Sequence, residues 1–110
     1  MTKEKRSALY DSLVYEFEQA IERAQLPEDI LIISGEDKYL QVDFGIVRLT
    51  IESPDYFHKG YQVYVNWGAI GNVGRERTEK FAFQLSWCAD MMITAEQIIK
   101  NAGGRVLKVK

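Results

Sequence analysis

An α+β domain is the fold class predicted for this 110-residue chain: one helix, an antiparallel meander of four or five strands, then a second helix. Three observations carry that expectation. Apolar residues recur at four-residue steps near the start, alternate with polar ones through the middle, and return to a three-to-four-residue rhythm near the end. A composition of 46% hydrophobic and 27% charged residues suits a single globular domain of this length.

The first helix is expected over residues 3–25. Leu9, Leu13, Phe17 and Ile21 line one face of it, with Asp11, Glu16, Glu18, Glu22 and Arg23 elsewhere. Thr2 offers a hydroxyl to the free amides of the first turn, and Pro27 drives the residue before it out of helical geometry. Residues 30–34 are a short apolar run of strand formers, and Gly35-Glu36-Asp37 should reverse the chain into a strand over 38–44. There Leu40, Val42 and Phe44 share a face, but beyond Gly45 the apolar set becomes Val47, Leu49 and Ile51. Side chains alternate strictly along a strand, so this change of parity requires a bulge or a tight bend at Gly45.

Residues 53–60 have the composition of a loop, and Tyr61, Val63, Val65 and Trp67 then alternate cleanly with Gln62, Tyr64 and Asn66. Gly71-Asn72 is the expected hairpin turn into another strand over 75–85, where Phe81, Phe83 and Leu85 alternate with Lys80, Ala82 and Gln84. The second helix is expected from Ser86 through Cys88, Met91, Met92, Ala95, Ile98, Ile99 and Ala102, closed by Gly103-Gly104. Residues 105–110 form a short last strand or a basic tail. Both helices would cover one face of the sheet. The reverse face, with Tyr39, Gln41, Asp43, Arg48, Thr50, Gln62, Tyr64, Asn66 and Lys80, would be wet.

Charge and cysteine content narrow the function classes. Sixteen acids against fourteen bases leave a net charge of −2, which does not describe a polycation seeking nucleic acid. The middle of the chain is acidic and its end basic: residues 27–71 carry seven acids and three bases, residues 72–110 four acids and seven bases. The charged start is unlike an export signal, and a lone Cys88 has no partner for a disulfide or a zinc site, so a reducing cytoplasm is the expected home. The longest uncharged run, residues 60–74, is too short and too polar to span a bilayer. No cofactor, metal or membrane is called for.

Candidate chemistry is sparse. His58 is the only imidazole, and Ser53 and Asp55 sit close to it in the chain, but three residues of one loop need not converge as a triad. Cys88 falls on the apolar side of its helix and is expected to be a core residue. The pairs Glu28-Asp29 and Glu36-Asp37 belong to turns without a metal-loop spacing. Gly68, Gly71 and Gly74 match neither phosphate-loop pattern and suit a hairpin tip.

The expectation is therefore a small non-catalytic interaction or regulatory protein of the cytoplasm. It would bind a protein partner or its own copy through the open sheet face or the hairpin over 60–74, with Tyr39, Arg48, Tyr64, Asn66, Arg75, Arg77 and Lys80 as contact residues. The alternative is a nucleic-acid-binding accessory domain in which Tyr39 and Tyr64 stack on bases beside Arg75, Arg77 and Lys80, although Glu76 and Glu79 interrupt that basic segment.

Overall fold

The computed structural model describes residues 8–26, 30–35, 38–68 and 75–107, with the side chains of 75–78 outside that description. The chain runs α1 (Ala8–Arg23), β1 (Leu31–Ser34), β2 (Tyr39–Phe44), β3 (Val47–Glu52), β4 (Tyr61–Trp67), α2 (Arg75–Asn101) and β5 (Val106–Leu107). The strands form one sheet in the order β1-β2-β3-β4-β5. The first three pairings are antiparallel and β4–β5 is parallel. The expected meander is thus correct for four strands. The short last strand expected over 105–110 is present as β5, and it lies parallel to β4 because α2 carries the chain back along the sheet before it begins.

Gly45 is a turn. Phe44 lies opposite Val47, so only Gly45 and Ile46 join β2 to β3, and Gly45 has φ +66° while Ile46 is not in the positive-φ region. Glycine first in a two-residue hairpin loop is the II′ arrangement, whose twist matches that of the strands. The turn places Leu40, Val42 and Phe44 on the same side as Val47, Leu49 and Ile51, and all six are buried. Tyr10, Leu13, Val14 and Phe17 of α1 and Cys88, Ala95 and Ile99 of α2 complete one cluster with them, so both helices pack on one face of the sheet.

The strand expected over 75–85 is instead the start of α2, 27 residues long. At 1.5 Å per residue such a helix reaches about 40 Å. Phe81, Gln84, Leu85, Cys88, Met92, Ala95 and Ile99 make a continuous helical stripe, and each is buried or packed against the core. Phe81, Phe83 and Leu85 satisfy an alternating pattern only because the six residues from Lys80 to Leu85 are too few to separate the two periods. Phe83 lies on the flank of the helix, its ring edge-on to Phe44 at 5.9 Å. The hairpin proposed for 60–74 consequently has one arm, β4; Gly71 and Asn72 lie outside the described residues, as does the Thr2 cap.

The two helices end alike. In α1 the amides of Gln25 and Leu26 bond back to Glu22 and Ile21, and in α2 those of Gly103 and Gly104 bond back to Lys100 and Ile99. Both are Schellman motifs with a left-handed residue, Gly103 at φ +89° but Gln25 at φ +52°. Gly103-Gly104 was a visible stop signal, whereas α1 stops at Arg23 through a glutamine held in a glycine's conformation.

Gly45→Ala must hold an L-residue at positive φ, which costs about 1–2 kcal/mol, and its Cβ would collide with the buried Gln84 amide. Urea denaturation should show a loss of about 2 kcal/mol. Gln84→Ala should then cost less in the Gly45→Ala background than alone. Gln25→Gly should raise stability by about 0.5–1 kcal/mol, because glycine adopts the left-handed cap freely.

Candidate functional site

The sheet face that no described helix covers is built by alternation. With Leu40, Val42, Leu49, Ile51 and Val63 committed to the core, their neighbours along each strand point the other way. Register aligns these neighbours in three rows across the sheet. One runs Leu31, Asp43, Arg48, Asn66; the next Ile33, Gln41, Thr50, Tyr64; the third Tyr39, Glu52, Gln62, Leu107. Tyr39, Arg48, Tyr64 and Asn66 are therefore together, as expected from the sequence.

The basic segment is not with them. Lys80 lies on α2, in the layer on the opposite side of the sheet, and it is exposed there. Arg75 and Arg77 belong to the first turn of the same helix, and their side chains lie outside the described residues. The expected union of sheet-face tyrosines with Lys80 depended on a strand over 75–85, and the helix removes it.

Polar side chains on the face are locked to one another. Arg48 Nε donates to Asp43 Oδ1 at 2.6 Å and Nη2 to Oδ2 at 3.0 Å, a two-pronged pair across β2 and β3. That bond to Asp43, and the Asp43 charge, hold the guanidinium pKa above its ordinary value. The Tyr64 hydroxyl donates to Glu52 Oε2 at 3.1 Å. Partial burial, followed by the Glu52 charge, raises the Tyr64 pKa, so the group remains a neutral donor. Thr50, midway between Gln41 and Tyr64, is only 2% exposed. The middle of the face is roofed by its own side chains.

Shallow hollows mark the two ends. One, of about 320 Å³, is bordered by Asp43, Arg48, Asn66, Trp67 and the Gly45–Ile46 turn. The other, of about 430 Å³, lies among Lys38, Tyr39, Glu52, His58 and Gln62. Beside the second stands the 53–60 loop, in which the sequence singles out Ser53, Asp55 and His58 but neither of its two aromatics. The Asp55 carboxylate accepts the amides of Phe57 and His58 at 2.8 and 2.7 Å, and the Asp55 amide donates to the His58 carbonyl at 2.8 Å. This closed loop displays Tyr56 and Phe57 at 82% and 81% exposure. The Asp-first loop with two aromatics was the available signal.

The groups with catalytic potential are otherwise engaged. Asp55 Oδ1 lies 3.2 Å from His58 Nδ1, but Ser53 Oγ is 2.8 Å from the Tyr10 hydroxyl, tying it to α1. Cys88 is fully buried, and burial pushes its thiol pKa up to about 12, far from a reactive thiolate. Among the described residues, no three or more His, Cys, Asp and Glu side chains gather to hold a metal ion, and no helix is long and apolar enough to cross a membrane. No protein-family model matches the chain, and neither does any curated protein or solved structure.

The Asp55 loop has a pH signature. Amide hydrogen bonds, that of His58 first, lower the Asp55 pKa in the folded state. Its stabilisation is present above the ordinary aspartate range and disappears as pH falls through the lowered value. Asp55→Ala should shift the denaturation midpoint at pH 7, and the gap from the wild type should narrow steadily on acidification toward pH 2.

Proposed function

We propose that this chain is a small non-catalytic interaction domain of the cytoplasm that takes a protein partner on the open face of its sheet. One observation carries the reading: Tyr39, Arg48, Tyr64 and Asn66 share one face of the sheet, and two of them are already held by Asp43 and Glu52. Tyrosine and arginine are the residues that dominate protein interfaces, and side chains held in place before binding lose little entropy on contact. Shallow hollows suit a macromolecular surface better than an enclosed small molecule. A lone buried thiol is consistent with a reducing compartment.

A nucleic acid fits this face less well. The charge of Arg48 is taken up by Asp43, Glu52 adds a second acid, and Lys80 is in the other layer.

A photoreactive phenylalanine analogue placed at Tyr64 should give discrete protein adducts in the cells of origin. The same group at Tyr15, exposed on α1, should not give those adducts. Arg48→Glu should abolish the Tyr64 adducts and weaken binding of the purified partner at least tenfold. Identical adducts from both positions, or tight binding of labelled oligonucleotides at low salt where phosphate contacts are strongest, would overturn the proposal.

A further inference from the structure

The outer edge of β1 is a separate surface from the open face. The amide of Gly35 donates to the Tyr39 carbonyl at 3.0 Å, which sets the phase of the β1–β2 ladder. Counting back by twos, Ile33 and Leu31 bond toward β2, so the backbone N–H and C=O of Ile32 point outward. Among the described residues no strand lies beyond β1. Sheet edges are normally blunted by proline, lysine, an inward charge or a bulge, and residues 30–34, Ile-Leu-Ile-Ile-Ser, contain none of these.

A groove of about 550 Å³ runs between that edge and the C-terminal half of α1. Ile21, Leu26, Ile30 and Ile32, all partly exposed, supply its apolar lining, and the exposed Glu18 and Glu22 are its acidic rim. Residues four apart on a helix lie about 5–6 Å apart at Cβ. Alternate residues of a strand are spaced at about 6.6–6.8 Å. Two basic side chains on one side of an added strand would therefore approach the two glutamates together.

We infer that the β1 edge and this groove take an extended, basic segment of another protein as a sixth strand. Backbone pairing to Ile32 supplies the attachment; lysine or arginine on one side of the strand lays its aliphatic stem along the groove and meets Glu18 and Glu22, and aliphatic side chains on the other side lie beside Leu31 and Ile33. A second copy of this chain is a poor occupant. Pairing two β1 edges would bring two sets of the same glutamates together, and the only base on α1 is Arg23.

The probe is a fluorescein-labelled heptapeptide of alternating valine and lysine, titrated into the intact protein at low salt. It should bind at least tenfold tighter than the valine–glutamate heptapeptide. The double variant Glu18→Lys, Glu22→Lys, altered only at exposed helix positions, should reverse that order. Methylating alternate backbone nitrogens of the peptide removes its strand pairing without touching the protein, and should abolish binding; hydrogen exchange at the Ile32 amide should slow when the unmethylated peptide is present. Equal affinity for the two peptides would overturn the inference. So would indifference to methylation, which would leave charge attraction alone, or an Ile32 exchange rate that does not change. A dimer in light scattering that the same double variant alters would assign the edge to a second copy and also overturn it. None of these results depends on Tyr64 or Arg48, so the open-face proposal stands or falls separately.

Discussion

The two-residue turn at Gly45 is the constraint on which the rest of the molecule depends. A strand with its side chains out of phase cannot serve a one-sided core, and this chain changes phase between Phe44 and Val47. A tight II′ turn reconciles the two halves by pairing Phe44 with Val47, and every later pair then follows. Fully burying Val47, Leu49 and Ile51 is worth about 1.5–3 kcal/mol for each side chain. A slip of one residue would trade them for Arg48, Thr50 and Glu52. Glycine suits the turn best, because positive φ and the proximity of the Gln84 amide both penalise a Cβ there.

The same register creates the polar face of the sheet. Once the apolar set is turned toward α1 and α2, the polar set has no choice of side, and Asp43 must stand opposite Arg48. Their two-pronged bond is thus a by-product of core packing, as is the approach of Tyr64 to Glu52. Such pairs add little to folding at an exposed site. Their effect is to hold donor and aromatic groups in one arrangement, which is what an interface needs and a hydrophobic core does not.

The legible parts of this fold were those in which a single period could fit. Residues 61–67 alternate without ambiguity, and residues 9–21 keep a four-residue step over more than three turns, so β4 and α1 were identified correctly. Phe81, Phe83 and Leu85 fitted two periods, and tertiary contacts decided between them: Phe81 meets Trp67 at 6.1 Å, and Phe44 receives Phe83 and Trp87 edge-on. A longer window would have linked Phe81 to Leu85, Cys88, Met92 and Ala95, and the run Arg-Glu-Arg-Thr-Glu-Lys ahead of it is rich in helix formers and poor in β-branched residues. Four of the candidate contact residues were found together because they depend on β2, β3 and β4. The other three depended on the misassigned segment. Gln25 in a left-handed cap and the parallel direction of β5 have no local signature, since both are set by how the chain returns to the sheet.

Edge and face meet at β1, and alternation makes them cooperate. Ile32 turns toward the groove, while Leu31 and Ile33 stand in the first two rows of the open face, Leu31 at 56% exposure. Any strand added beyond β1 must send half of its side chains into the groove and half onto the face beside Leu31 and Ile33. Those two aliphatic residues are out of character with the tyrosines, amides and ion pairs of β2, β3 and β4, yet they are where a neighbouring strand would need apolar contact. The apolar border of an otherwise polar face is thus accounted for by an edge that is completed on binding. A partner seated there would widen the recognition surface from five strands to six while leaving the Asp43–Arg48 and Glu52–Tyr64 pairs undisturbed.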